Sequence, residues 1–269
     1  MIRACVAGVG GKMGSRILNA LRAEEDFVVT GAFEKPESPQ IGLDAGLLSG
    51  AGPLEVTIAG SIEKALDKGA DVVIDFTAPA ASLHHAGICG EKGVAMVVGT
   101  TGFSAQAKAE LAGHAQRIPL LMAPNMSVGV NVLFRLVAEA ARALGPWYEV
   151  EIAETHHRAK KDAPSGTALR LAEVAADALG LDATRAVVYE RHGDIGARKP
   201  GTIGVQALRG GDVVGDHSVW FLADGERLEL THRASSRDNF ARGAVRAARW
   251  VVGKRPGLYD MQDVLGFRT

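Results

Sequence analysis

With 269 residues, 47% of them apolar, the chain can bury one large core or two modest ones. Its 30 Lys and Arg against 31 Asp and Glu leave a formal charge of −1, which excludes wholesale nucleic-acid binding but allows a local basic pocket. No run approaches the ~18 consecutive apolar residues of a membrane helix, and Cys5 and Cys89 lack a CxxC or His-rich pattern, so a soluble cytoplasmic protein with free thiols, no membrane partner and no metal is expected.

From residue 1 to about 127, short β-branched runs alternate with helical stretches. Strands are expected at 2–7, 28–33, 56–59, 72–76, 95–98 and 120–123, and helices at 13–24, 61–68, 81–92 and 105–116. Strands separated by helices of this length imply parallel pairing with right-handed crossovers, a doubly wound sheet. A long helical pattern at 127–144 closes at Gly145-Pro146. Beyond 148 the character changes. An alternating run at 148–154 precedes a helix that ends by Gly180, and strands follow at 201–209, 216–223 and 227–233. Gly210-Gly211 and Asp224-Gly225 offer turn chemistry between those strands, so two antiparallel hairpins are expected. A last helix at 237–252 stops at Gly253. The chain thus reads as a nucleotide-type α/β domain followed by an α+β domain with an open sheet.

Gly8-Val9-Gly10-Gly11-Lys12-Met13-Gly14 follows the first strand and opens the first helix, with Gly8, Gly11 and Gly14 spaced for a tight turn, close approach to a pyrophosphate and close helix–strand packing. Glu34 ends the second strand, where a carboxylate can accept hydrogen bonds from adenosine ribose hydroxyls. Lys35 is either a partner for a 2′-phosphate or an ordinary solvated lysine, so both NADH and NADPH are expected as cofactors. Three later loops leave strand ends, where open α/β sheets bind ligands: Asp75-Phe76-Thr77-Ala78-Pro79, Gly99-Thr100-Thr101-Gly102-Phe103 and Ala123-Pro124-Asn125-Met126-Ser127. Their small residues admit a flat nicotinamide ring, and Asn125 and the Thr hydroxyls can bond its amide. Phe76 packs either in the core or on the cofactor, and Asn125 and Ser127 also suit a helix cap.

The run from Glu154 to Thr167 concentrates chemistry. His156 and His157 can move protons near neutral pH, Arg158 and Lys160 can hold a carboxylate, and Pro164-Ser165-Gly166-Thr167 leads into a helix whose first N–H groups favour an anion. Lys161 reads as a solvated neighbour. His84, His85, His114, His192, His217 and His232 show no ligand spacing and are expected at the surface or in packing.

With these segments assembled, the chain closely resembles the bacterial dihydrodipicolinate reductases, also called 4-hydroxy-tetrahydrodipicolinate reductases, of the lysine and diaminopimelate pathway. The likeness is carried by the glycine loop Gly8 to Gly14, by Asp75-Phe76-Thr77, Gly99 to Phe103 and Asn125-Met126-Ser127-Val128-Gly129-Val130-Asn131, by the long string Glu154 to Ala168, and by His232-Arg233-Ala234-Ser235-Ser236-Arg237 and Gly257-Leu258-Tyr259-Asp260-Met261. The Glu154 to Ala168 string is the specific one. The resemblance implies a Rossmann-type dinucleotide-binding domain at 1–127 to which 238–269 returns, and an α+β domain with an open mixed sheet at 128–237 that binds a dicarboxylate substrate and builds a homotetramer. It implies His156 as proton donor and acceptor, Lys160 as second acid, His157 as a substrate contact, and Gly166 and Thr167 as holders of a substrate carboxylate. Gly8, Val9, Gly10, Gly11, Lys12, Met13, Glu34, Lys35, Gly99, Thr100, Thr101, Ala123, Pro124, Asn125 and Met126 match cofactor positions. Ala78 stands where an arginine can occur in the family, a difference that bears on the 2′-phosphate.

Overall fold

The computed structural model describes residues 1–267; positions 268 and 269, the end of the expected 238–269 segment, lie outside the described residues. In chain order the elements are β1 (Ile2–Ala7), α1 (Gly14–Arg22), β2 (Phe27–Phe33), α2 (Ala45–Ser49), β3 (Ile58–Ala59), α3 (Ile62–Ala65), β4 (Val72–Asp75), α4 (Pro79–Lys92), β5 (Ala95–Val98), α5 (Ala105–His114), β6 (Pro119–Met122) and α6 (Val128–Leu144). There follow β7 (Glu149–His156), α7 (Gly166–Ala178), α8 (Ala183–Ala186), β8 (Val187–Val188), β9 (Ile203–Arg209), β10 (Gly215–Ala223), β11 (Glu226–Ala234), α9 (Asp238–Val251), β12 (Gly257–Tyr259) and α10 (Met261–Val264). They form two compact units, Met1–Val128 together with the chain from Arg237 onward, and Gly129–Ser236.

The first unit carries a seven-stranded sheet in the order β12-β6-β5-β4-β1-β2-β3, parallel throughout. Its central strands are apolar runs rather than alternating ones because helices cover both faces. On one face, Ile17, Leu18 and Leu21 of α1 and Ala244, Ala248 and Val251 of α9 join Val6, Ile74 and Val97 in one core. On the other, Ala86 and Cys89 of α4 and Leu111 of α5 join Cys5, Val73, Met96 and Leu120. Strand β12 extends the sheet beside β6, pairing Leu258 with Leu120, so the last segment completes the unit that the first strand begins. The helix expected at 61–68 is a single turn, α3, and the chain leaves it through Gly69 at φ +73°.

The second unit holds a five-stranded mixed sheet in the order β11-β10-β7-β9-β8. Strand β7 alternates cleanly, burying Val150, Ile152, Glu154 and His156. Its apolar members pack with Val205 of β9 and Phe221 of β10 beneath Leu133, Phe134 and Val137 of α6 and Leu171 and Ala175 of α7. The hairpin expected around Asp224-Gly225 is present as β10–β11. The one expected at Gly210-Gly211 is not: β9 and β10 both pair with β7, which lies between them, β9 parallel and β10 antiparallel. The physical reason is that the connecting segment bonds to the end of β7 instead of closing a two-strand turn. His157 N–H donates to the Val213 carbonyl at 2.8 Å, Arg158 N–H to that of Gly211 at 3.2 Å, and Gly210 N–H to that of His156 at 2.9 Å.

One contact in the first unit sets a sharp steric limit. A Cβ on Gly243, in the middle of α9, would lie 1.8 Å from the Met126 carbonyl oxygen. Helix propensity by itself favours Ala over Gly by about 1 kcal/mol, whereas forcing a methyl into packed structure costs about 1–3 kcal/mol. Because the obstacle is backbone, sterics win. Gly243→Ala should lower unfolding stability by roughly 2 kcal/mol, read as a lower urea midpoint at unchanged m-value; a midpoint equal to or above that of the unmodified protein would show that α9 and the 123–127 loop can separate freely.

Candidate active site

At the end of β1 the chain turns at Gly8, whose φ of +63° suits glycine. A Cβ on Gly8 would lie 2.9 Å from Thr77 Cγ2, and one on Gly14 would lie 2.1 Å from the Gly8 carbonyl oxygen. Those two glycines let α1 pass directly over the turn. Met13 contributes no side-chain cap to α1, at the end of a helix where backbone N–H groups favour an anion. Gly10 N–H donates to Glu34 Oε1 at 2.8 Å, which fixes the carboxylate just beyond β2. A cavity of about 520 Å³ opens beside this turn, lined by Gly8, Gly11, Glu34, Lys35, Phe76 and Thr77 among others. Its size is that of a small-molecule site. The spacing predicts a pyrophosphate on the glycine turn and ribose hydroxyls on Glu34; the structure sets that turn and that carboxylate side by side on one cavity. Lys35 is exposed at the cavity edge.

Buried polar chemistry supports one wall of that cavity. The Asp75 carboxylate, fully buried at the end of β4, accepts from Thr77 N–H at 2.9 Å, Thr77 Oγ1 at 2.6 Å and Ser82 Oγ at 3.0 Å through one oxygen, and its other oxygen lies 2.6 Å from His85 Nδ1. Burial by itself would raise this carboxyl; the His85 and Thr77 hydrogen bonds outweigh it and hold the group below the usual carboxylate range. His84 lies at the surface and His85 in packing, within the alternatives the sequence left open; both also line the cavity, and His85 stacks edge-on against Phe33 at 4.9 Å. Among the expected cofactor positions, Thr100 is drawn inward, its Oγ1 lying 3.0 Å from Thr77 N and 2.8 Å from Ser82 Oγ, while Thr101 is exposed. Gly99 is required by Phe76, whose ring would lie 2.2 Å from a Cβ there. Val9, Ala123 and Met126 are core side chains, so only their backbone can face a ligand. Lys12 and Pro124 are exposed, and Asn125 accepts from Ser127 N–H at 2.9 Å, starting the turn into α6.

In the second unit the alternation of β7 turns Glu154 and His156 to the buried side, and the carboxylate becomes a hub. Arg209, at the end of β9 and opposite His156 in register, grips both Glu154 oxygens at 2.8 Å. Ser165 N–H donates to Oε1 at 3.0 Å, and His156 Nδ1 lies 2.5 Å from Oε2. Burial would raise Glu154; Arg209, His156 and Ser165 together hold it below the ordinary carboxylate value. For His156 burial dominates and pushes the imidazole below its ordinary value, with Glu154 opposing and Lys160 and Arg209 adding. Lys160 reaches Asp162 Oδ2 at 2.9 Å and is one-fifth exposed. His157 is half-buried and Arg158 exposed.

Ser165 caps α7, its hydroxyl accepting from Ala168 N–H at 3.2 Å, and Gly166 and Thr167 follow as the first helical residues. A Cβ on Gly166 would meet nothing within 4 Å, so the protein's own packing does not demand glycine there and the helix start lies open. His156, Lys160, Gly166 and Thr167 are thus gathered around one buried carboxylate and one helix start. Two residues of this cluster escaped sequence reading. Arg209 sits in a strand with no motif of its own. His217, expected at the surface or in packing, is buried; it lies 3.0 Å from Ser165 Oγ through Nε2 and edge-on to His156 at 5.2 Å, and burial lowers it to about 3. A signal for His217 did exist, since strand alternation places it on the same face as Val219 and Phe221.

Residues 2–126 match the family described as dihydrodipicolinate reductase, N-terminus, and residues 129–265 match dihydrodipicolinate reductase, C-terminus. A 4-hydroxy-tetrahydrodipicolinate reductase of Anaeromyxobacter dehalogenans is 56% identical over 268 residues, covering 100% of this chain and 99% of that one. One of Myxococcus xanthus is 56% identical over 269 residues, with the same coverage. Among solved structures, a dipicolinate-bound dihydrodipicolinate reductase from Paenisporosarcina sp. TG-14 shares the fold, with a TM-score of 0.76 at 23% identity and 97% of each chain covered. Matched along both halves, and more than half identical to relatives over nearly their whole length, the chain belongs to the dihydrodipicolinate reductase family.

Proposed function

We propose that this protein reduces 4-hydroxy-tetrahydrodipicolinate to tetrahydrodipicolinate with NADH or NADPH, in diaminopimelate and lysine biosynthesis. The observation that carries the reading is the cluster of the second unit, where a proton-transfer imidazole and a lysine ammonium stand beside an open helix start. Family membership gives the reaction, and the fit of the glycine turn and Glu34 to a dinucleotide gives the reductant.

A bound nicotinamide dinucleotide supplies the hydride. Gly8, Val9, Gly10, Gly11, Lys12 and Met13 hold its pyrophosphate through backbone and helix start, Glu34 and Lys35 address the ribose end, and Gly99, Thr100, Thr101, Ala123, Pro124, Asn125 and Met126 border the nicotinamide end. The N–H groups of Gly166 and Thr167 and the side chain of His157 hold the substrate carboxylates, with Lys160 exchanging Asp162 for the substrate. Once the 4-hydroxyl has left as water the ring is conjugated; the hydride that a bound nicotinamide would supply would push electron density through it, and His156 or Lys160 would return the proton it then takes up. Fixing the ring relative to these groups contributes as much as the proton itself. The protein acts in the cytoplasm; among the described residues no helix is long and apolar enough to cross a membrane. We further infer a homotetramer built on the sheet of the second unit. Its helices α6 and α7 both join the core on one face, while Glu151, Ser218 and Trp220 alternate to the other.

Substrate generated in situ from aspartate semialdehyde and pyruvate by a coupling synthase should be reduced with oxidation of both NADH and NADPH. His156→Ala and Lys160→Ala should each lower kcat by about 100-fold or more; no turnover by protein shown to bind NADH would remove the assignment. The pH dependence has a definite sign. Burial lowers His156, so its proton is lost as pH rises through a value below the ordinary ~6.5. The kcat/KM profile, which reports the free enzyme, should fall along its basic limb at lower pH than kcat, because the substrate's negative charge raises His156 in the complex; coincident limbs would mean that His156 is not the titrating acid. Light scattering should give four times the chain mass, and a monomer mass at working concentration would refute the assembly.

A further inference from the structure

The Glu154 carboxylate is engaged on both oxygens by donors from three separate parts of the second unit. Arg209 comes from β9, His156 from the end of β7, and Ser165 from the residue that caps α7. Arg209 also donates through Nη2 to the Asp162 carbonyl at 2.6 Å. The segment carrying His157 and Lys160 is therefore fastened at both ends. Its start is pinned through His157 N–H and Arg158 N–H to the carbonyls of Val213 and Gly211, and its end through Asp162 and Ser165 to the Arg209–Glu154 pair.

A buried ion pair is weak ground for stability, because desolvation offsets much of the attraction, so its use must be sought in orientation. An ionised carboxylate only accepts hydrogen bonds. Facing Glu154, His156 must carry its hydrogen on Nδ1, which leaves Nε2 as the nitrogen that gives or takes a proton. The neighbouring strand approaches that nitrogen closely and leaves it room only through glycine: a Cβ on Gly215 would lie 2.8 Å from His156 Nε2.

We propose that Glu154, clamped by Arg209, is the positioning residue of this site, fixing His156 in the tautomer whose Nε2 exchanges the proton and setting that nitrogen at a constant distance from the start of α7. This rests on the reading of His156 as the proton-transfer group and deepens it. One carboxylate registers the acid–base group against the anion-binding helix start, so that a ring held by its carboxylate presents the correct carbon to Nε2. Gly215 belongs to the same device, as the residue whose missing Cβ leaves room for Nε2.

The test is Glu154→Gln, an amide of nearly the same shape, with Arg209→Lys as a second variant that keeps the cation and loses the two-pronged grip. Both should retain the circular dichroism of the unmodified protein and its affinity for NADH, because the glycine turn lies in the first unit. Glu154→Gln should lose about 100-fold in kcat, and Arg209→Lys about tenfold. A structural role alone would not move the second readout, the imidazole ¹⁵N shifts of His156 at a pH where it is neutral. The unmodified protein should show the Nδ1–H form, and Glu154→Gln a mixture of the two tautomers with a lower imidazole pKa, since the charge that opposed burial is gone. Turnover within twofold of the unmodified protein, or unchanged shifts, would overturn the proposal. If Glu154→Gln fails to fold, Arg209→Lys decides by turnover: the tenfold loss supports the clamp and turnover within twofold of the unmodified protein overturns it, while its His156 shifts should stay in the Nδ1–H form because Glu154 is retained. Should the unmodified protein not reduce the substrate at all, the reaction assignment falls, while the imidazole shifts still decide whether Glu154 sets the tautomer.

Discussion

A carboxylate removed from water has to be surrounded by donors, and at Glu154 that requirement organises the second unit. Strand alternation buries the acid; Arg209, Ser165 and His156 satisfy it; and in doing so they bring the ends of β7 and β9 and the start of α7 to one point. The position of β7 between β9 and β10 follows the same logic. With β10 on one side and β9 on the other, His217 and Arg209 can both reach the chemistry that β7 carries. A simple β9–β10 hairpin would have put those two strands next to each other and separated one of them from β7.

The first unit solves a similar problem in a second way. Asp75 ends a central parallel strand, where the sheet stops supplying hydrogen bonds, and Thr77, Ser82 and His85 close around it. Both units thus place a buried acid at the end of a strand with a histidine Nδ1 against it, beside the open region where a ligand can be held. The rigidity differs in origin. Around Asp75 the partners Thr77, Ser82 and His85 all come from within ten residues of the acid. Around Glu154 the main partner is an arginine 55 residues away, so the geometry depends on the whole sheet being assembled.

The glycine turn shows how closely backbone can be constrained by side chains that are missing. Gly14 is set against the Gly8 carbonyl oxygen, Gly99 against the Phe76 ring and Gly243 against Met126. In each case a methyl group would displace backbone or a packed ring, so α1, the loop after β5 and α9 all hold their positions through close approach. Gly166 is the contrast: nothing in the protein fills the space its Cβ would take, which suits a helix start that must meet a ligand.

The sequence by itself determined what depends on short range and on the hydrogen-bonding limits of single residues. Parallel strands buried on both faces were legible as unbroken apolar runs, the glycine turn as a spacing, and His156, Lys160, Gly166 and Thr167 as one string leading into a helix. Only the tertiary structure decided which distant residues complete that string. The turn-forming pair Gly210-Gly211 looked like a hairpin because turn chemistry is local, yet the strands it joins found β7 instead, where apolar burial beneath α6 and α7 is greater than a two-strand ribbon could provide. Arg209, His217 and His85 acquired their roles in the same way: each lies on an element read correctly or nearly so, and the acid or hydroxyl it serves is reached only through strand register and helix packing. A side chain's chemistry is written in its residue type, but its partner is chosen by the fold that buries them together.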